Sequence, residues 1–252
     1  RGIGLATAKH LAQLGATVVL TSRSAEELLA AVSDICESGG KAKAYVCDVA
    51  SYTSVESAVN YCLNQTGQID FLINNAGVIE PLAHLVNSDP AVWSMAIDVN
   101  VKGVYHGMRA VLPHMLSAGE GVIVNMSSGA ANSNLPGWSH YCSTKAAAKK
   151  LTEVAHRELE DQNIRIVGLS PGTVATDMMA KIRDAKINVV SNLDWSEHIP
   201  AEWAAKAVAF LCGPEGADFA GTDFSIKTQE GRERVGLVAK EVGAEERTVS
   251  VG

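Results

Sequence analysis

Cysteine, aromatic side chains and charge are all sparse in this sequence, and each shortage narrows what the chain can be. The five cysteines (Cys36, Cys47, Cys62, Cys142 and Cys212) are odd in number, scattered, and form no C-x-x-C pair. That pattern argues against a disulfide framework or a zinc site and fits a reducing compartment, so a cytoplasmic setting is expected. Seven histidines show no ligand spacing either, and no metal is expected. Charged residues are 19% of the chain and form no block of one sign, which argues against disorder along its length. The net charge is −7 and no Lys/Arg cluster makes a basic face, so a nucleic-acid partner is not expected. No apolar run approaches the length of a membrane span, and no membrane role is expected. What is abundant is apolar content, 47% of 252 residues, enough for one sizeable core.

Strand and helix signals alternate along the chain. Residues 3–14 read as an amphipathic helix stopped at Gly15, and Thr17–Thr21 as a short buried strand. Ser24-Ala25-Glu26-Glu27 matches a capping box and opens a helix to about Glu37, ended by Gly39-Gly40. Further strands are expected at Ala44–Cys47, Phe71–Asn74, Val122–Asn125, Ile164–Leu169 and Asp223–Ile226. Further helices are expected from about Thr53, from Asp89-Pro90 without interruption to about Ser117, from Tyr141 to about Glu160, and from Pro200 to Leu211. Such alternation implies an α/β fold, a Rossmann-like doubly wound parallel sheet with helices on both faces. Ligands bind such sheets at the carboxyl ends of the strands. The polar clusters fall there: Thr21-Ser22-Arg23, Asp48, Asn74-Asn75-Ala76-Gly77, Ser127-Ser128 and Pro171-Gly172.

Tyr141-Cys142-Ser143-Thr144-Lys145 carries the sharpest chemistry. Residues four apart share a helix face, so the Lys145 ammonium can lie near the Tyr141 phenol. A phenol titrates near ~10, and lowering that by about 3 units takes roughly 4 kcal/mol of differential stabilisation. A partly desolvated lysine together with a second, bound cation could supply it and make Tyr141 a usable general acid or base. Alone, Y-x-x-x-K is weak, because amphipathic helices carry it by chance. Its context is not weak. Ser128 ends a strand thirteen residues before Tyr141, Asn74-Asn75-Ala76-Gly77 ends another, and Arg1-Gly2-Ile3-Gly4 opens a helix. In this order, over about residues 1–226, these elements resemble the short-chain dehydrogenase/reductase family, and most closely its 3-oxoacyl-carrier-protein reductase type.

The resemblance implies a site. Gly2, Ile3 and Gly4 match the end of a glycine turn at a helix N-terminus, where backbone N–H groups and the dipole favour a pyrophosphate. Asp48 and Val49 match residues beside the adenine, and Asn75, Ala76 and Gly77 the segment beside the adenine ribose. Asn100 matches the asparagine that holds a proton-relay water. Ser128 would polarise the substrate carbonyl, Tyr141 would give or take the proton, and Lys145 would bind the nicotinamide ribose. Pro171, Gly172 and Thr173 match the stretch flanking the nicotinamide, with Thr176 reaching its carboxamide or the phosphates. Where an NAD enzyme usually has an acid after its second strand, this chain has Thr21-Ser22-Arg23. Arg23 offers a fork for a 2′-phosphate and Arg1 a second one, so NADPH/NADP⁺ is expected over NADH/NAD⁺.

The implied activity is reversible, NADPH-dependent reduction of a carbonyl to an alcohol. Its rivals are an NAD-linked alcohol, sugar or steroid dehydrogenase and a non-catalytic dinucleotide sensor. The segment from Met178 to Ile199 stands where the family carries a variable lid, and its apolar residues suit an apolar substrate body or a plain cover helix. Two departures stand out. The glycine turn lacks its first glycine, so a strand before Arg1 is expected to be missing from the sequence. After Ile226 the chain runs into a charged stretch, 227–252, expected to be a polar tail outside the domain at 1–226. Apolar positions such as Val104, Met108, Val111, Met115, Ala147, Ala148, Leu151 and Val154 exceed what one sheet face obviously covers. A homodimer or homotetramer packed through these helices is therefore expected.

Overall fold

A computed structural model describes residues 1–237. Its elements follow the expected alternation. Helix α1 (Gly2–Gln13) leads to strand β1 (Thr17–Ser22), then α2 (Ala25–Glu37) and β2 (Lys41–Val46). Next come α3 (Tyr52–Thr66), β3 (Phe71–Asn74), α4 (Pro90–Ile97) and α5 (Gly103–Ala118). Strand β4 (Gly121–Met126), α6 (Ser139–Leu159) and β5 (Ile164–Ser170) follow. The described chain closes with α7 (Asp177–Ala185), α8 (Ala201–Cys212), β6 (Asp223–Ser225) and α9 (Gln229–Arg234).

Local chemistry sets the helix starts. Ser24 accepts from the Glu27 N–H, Ser51 from the Ser54 N–H, and Asp89 from Ala91 and Val92 ahead of Pro90. Each satisfies donors that the first turn leaves open. The helix expected from Thr53 thus begins one residue earlier, because Ser51 is the cap.

All strand pairs are parallel, as β1-β2 and as β3-β4-β5-β6. The two pieces do not hydrogen-bond to each other, and a cleft runs between β1 and β3. The middle of the four-stranded piece, β4 and β5, is buried on both faces. Val122, Val124, Met126, Val167, Leu169 and Phe224 pack with α8, while Ile123, Ile164 and Ile166 pack with α5 and α6. All six β4 residues are buried. At about 25 cal/mol per Å² of apolar surface, these layers supply most of the drive to fold. They also hold the carboxyl ends of β3, β4 and β5 at one edge.

Three expectations change. The helix from Pro90 is not continuous: a π-helical turn over Asp98–Lys102 separates α4 from α5. Asn100 causes the break, because its side chain is turned inward onto Val78 and not along the helix face. The stretch after Ile226 is not a tail from its first residue. Thr228 caps α9, Arg232 donates to the Ile226 carbonyl, and Leu237 is buried in the α8 core, so the packed domain reaches at least Leu237. The rest of that expected tail, 238–252, lies outside the described residues. Finally, Val104, Met108, Val111, Met115 and Ala148 are covered within the chain itself, so they are no argument for a partner. What α5 and α6 leave exposed is Tyr105, Leu116 and Val154.

Candidate active site

One cleft gathers the expected site residues except Asn100, which stands behind its wall. Arg1 to Gly4 enter from the N-terminus of α1, Ser22 and Arg23 from the end of β1, and Asp48 and Val49 from beyond β2. Asn75, Ala76 and Gly77 follow β3, Ser128 follows β4, and Pro171, Gly172, Thr173 and Thr176 follow β5. Tyr141 and Lys145 face them from the first two turns of α6.

The floor is built for close approach. A Cβ on Gly4 would stand 2.7 Å from the Asn75 Nδ2, so only glycine lets α1 meet that loop. Gly2 holds φ +55, in the left-handed region, and no side chain caps the first turn of α1. Its N–H groups therefore stay available to an anion. This cradle, open helix terminus and strand-end loop fit a dinucleotide. Ser22 spends its hydroxyl on Ser24, and Asp48 accepts from the Ala50 N–H. Arg23 is exposed and makes no ion pair among the described residues, whereas Arg1 lies 3.8 Å from Asp177, both largely exposed. A surface pair of this kind contributes about 0–1 kcal/mol and leaves Arg1 free to exchange partners.

Asn100 is a clamp. Its Oδ1 accepts from the Val78 N–H at 2.8 Å, and its Nδ2 donates to the Val78 carbonyl at 2.9 Å and to the Thr144 hydroxyl at 3.2 Å. It is 1% exposed. A Cβ on Gly77 would lie 3.4 Å from the Asn100 Oδ1 and 3.8 Å from the Lys145 Nζ, so the clamp, the β3 loop and the lysine meet at one point. Both Nδ2 hydrogens are already used on protein groups.

Ser128 accepts from the Ala130 N–H, which turns the chain after β4, and its hydroxyl side chain pulls the Tyr141 pKa downward. Lys145 donates to the Met126 carbonyl at 2.7 Å and lies 5.6 Å from the centre of the Tyr141 ring. The expected lowering of the tyrosine pKa does not follow from these residues alone. Burial pushes Tyr141 up to about 12, against a smaller downward pull from Ser128. Burial likewise brings Lys145 down to about 8, opposed by the charge of Asp223. Desolvation disfavours both charged forms and is the largest influence on each.

Above the pair lies an apolar wall that sequence reasoning only half identified. Trp138 stacks edge-on against Tyr141, with ring centres 5.4 Å apart, beside Leu135, Ile79, Met179 and Ile182. Met178, Met179 and Ile182 were visible as a candidate lid. Leu135 and Trp138 were missed, although a tryptophan inside the Leu-Pro-Gly-Trp turn ahead of Tyr141 was the available signal. The lid is tied across the cleft by Lys181 donating to Glu80 at 2.6 Å, and Arg183 lies over the Trp195 ring. Among the described residues no cluster of His, Cys, Asp or Glu could hold a metal, and no helix is long and apolar enough to cross a membrane.

Known proteins share the sequence pattern and the fold. A short chain dehydrogenase family profile matches residues 1–187. The 3-oxoacyl-(acyl-carrier-protein) reductase FabG of Thermotoga maritima is 33% identical over 226 residues, covering 89% of this chain and 92% of its own. NAD⁺-bound xylitol dehydrogenase superposes with a TM-score of 0.82 at 29% identity, over 89% of this chain and 93% of that one. A gluconate 5-dehydrogenase from Burkholderia cenocepacia, solved with NADP and tartrate, gives 0.82 at 28% identity, over 90% and 89%. The chain thus belongs to the short-chain dehydrogenase family and is a nicotinamide-dependent oxidoreductase acting on alcohol or carbonyl groups.

Proposed function

We propose that the chain reduces a carbonyl with an apolar body to an alcohol, using NADPH. The observation that carries the reading is that Ser128, Tyr141 and Lys145 line one cleft with the uncapped N-terminus of α1. Burial keeps the phenol protonated at neutral pH, so it holds the proton that the reduction needs. When bound, the nicotinamide supplies the hydride. The chain's own residues do the rest. Gly2 and Gly4 hold the pyrophosphate at the α1 N-terminus, Asn75, Ala76 and Gly77 border the adenosine side, and Pro171 to Thr173 with Thr176 border the nicotinamide side. Ser128 hydrogen-bonds the substrate carbonyl oxygen, and Tyr141 hands it the phenolic proton. Lys145 holds the nicotinamide ribose and places a positive charge by the phenolate that remains. Asn100 keeps Gly77 and the lysine in register.

Arg23, exposed at the end of β1, and Arg1 across the cleft support a 2′-phosphate, hence NADPH over NADH. Relatives give both precedents, since one is solved with NAD⁺ and another with NADP. The wall of Leu135, Trp138, Met178, Met179 and Ile182 supports an apolar substrate, and the nearby Lys181 is already paired with Glu80. Exposed Tyr105, Leu116 and Val154 on α5 and α6 support a homodimer or homotetramer, which light scattering at micromolar concentration reads directly. The free cysteines suit a cytoplasmic setting. A panel of alicyclic ketones, keto-esters, acyl thioesters and keto-sugars under NADPH and NADH tests the reading. Turnover of the apolar ketones under NADPH is expected. Tight NADPH binding with no turnover across the panel would instead favour a non-catalytic sensor.

A further inference from the structure

His140 takes no part in the chemistry so far, yet it is 0% exposed and precedes Tyr141 in the first turn of α6. Its Nε2 lies 2.7 Å from the Ile79 carbonyl oxygen. A carbonyl only accepts, so Nε2 carries the proton and donates. The other nitrogen, Nδ1, is buried and has no hydrogen-bond partner among the described residues. An apolar side chain could fill the same space with no nitrogen left over, and a buried polar atom without a bond is costly. Packing alone therefore does not account for a histidine at this position, whereas the bond to Ile79 does.

Ile79 is the middle of a strap. Asn100 holds both backbone groups of Val78, His140 holds the Ile79 carbonyl, and Lys181 of the lid holds the Glu80 carboxylate. Three successive residues beyond β3 are thus fastened to three elements, the π-helical turn, α6 and α7. Ile79 is the one of them that belongs to the apolar wall. Its side chain is 1% exposed and packs in one cluster with Trp138, Met179 and Ile182, against which Tyr141 also lies. The first turn of α6 has no side-chain cap. It is fixed instead by side-chain bonds from other elements. The Trp93 indole of α4 donates to the Ser139 hydroxyl at 3.1 Å, and Asn100 donates to Thr144 one turn on. His140 is the member of this set that joins the turn to the wall.

We propose that His140 is a positioning residue: by donating from Nε2 to the Ile79 carbonyl, it sets the Tyr141 phenol in register with the apolar wall that seats the substrate. The proposal rests on the reading of that wall as the substrate pocket. Neighbouring residues on a helix point about 100° apart, so His140 can grip Ile79 while Tyr141 faces the cleft. Without the bond the wall and the phenol can shift relative to each other, and a misplacement of about 1 Å can cost about 10²-fold in rate. The cofactor side is held separately, by the α1 turn against Asn75 and by the meeting of Asn100, Gly77 and Lys145. The loss should therefore fall on the ketone and not on NADPH.

The test compares the wild type with His140→Leu, His140→Asn and His140→Gln. Each is measured for kcat and KM with an accepted apolar ketone, for NADPH affinity by fluorescence, and for thermal unfolding. A glutamine amide nitrogen reaches about as far from the backbone as Nε2, and an asparagine amide falls short. His140→Leu and His140→Asn should lower kcat about 10-fold or more, with NADPH affinity within about 2-fold of the wild type. His140→Gln should recover most of the lost rate. A merely structural histidine would cost thermal stability and leave the kcat of the folded variants at the wild-type value, and that result overturns the proposal. So does a His140→Gln enzyme that is no faster than the other variants or does not fold. If His140→Leu alone fails to fold, His140→Asn against His140→Gln decides by the same rule; if neither His140→Leu nor His140→Asn folds, the bond is structural and the proposal falls. A wild type that binds NADPH and reduces no ketone overturns the reading of the pocket instead.

Discussion

Asn100→Ala should damage stability and catalysis together, and the structure gives the size. The side chain is 1% exposed and makes three hydrogen bonds, two to Val78 and one to Thr144. Truncation orphans the Val78 N–H and carbonyl on one side of a packed junction. An unmade buried hydrogen bond costs about 1–3 kcal/mol per group. Val78 is half-buried, so water restores part of its bonding, and Thr144 keeps its bond to the Tyr141 carbonyl. A net loss of about 2–4 kcal/mol follows. For a domain of this size that is a fall in Tm of roughly 5–15 °C. The π-helical turn also loses what holds it open, so Gly77 and Lys145 drift apart and turnover should fall about 10-fold or more. Thermal unfolding and steady-state kinetics on one preparation check both. A fall in Tm under about 2 °C would show that the clamp reading overstates these bonds.

Two further outcomes are expected. Arg23→Asp should shift the ratio of kcat/KM from NADPH towards NADH by about 10-fold or more, since a carboxylate repels a 2′-phosphate and accepts from a 2′-hydroxyl; an unchanged ratio would remove Arg23 from the cofactor site. The pH dependence has opposite signs for activity and stability. Lys145 at about 8 in the folded chain, against 10.5 when unperturbed, loses its proton as pH rises, so kcat/KM should fall through about 8. Between those two values the unfolded chain binds more protons at this lysine, so its contribution to stability rises with pH. Activity that holds level to pH 10 would show that the lysine charge is not needed.

Much of the fold was legible because its signals are local. Caps at Ser24 and Asp89 and β-branched runs such as Thr17–Thr21 placed elements to within a few residues. The polar residues at strand ends were legible for the same reason, as each cluster follows a short apolar run. What was not legible depended on contacts far apart in sequence. The interruption at Asp98–Lys102 comes from Asn100 reaching back 22 residues to Val78. The Ser127–Asp223 bond joins residues 96 apart, and the second partner stood in a strand too short to read with confidence of register. For the chain's own residues the direction at Tyr141 was not legible for a related reason. Spacing showed that Lys145 shares its helix face, but not that burial would push the phenol up and the ammonium down. The packing of Leu237 after a charged stretch was hidden because its partners lie on α8 and β6.

The central claim is that the Tyr141 phenol is the proton donor of a nicotinamide-dependent reduction. Tyr141→Phe keeps the ring against Trp138 and removes only the hydroxyl. Its turnover of an accepted ketone and its NADPH affinity, measured together, decide the matter. The account predicts affinity nearly unchanged and a rate lower by about 10² to 10⁴. A variant that keeps more than about a third of the wild-type rate at equal NADPH affinity would contradict it.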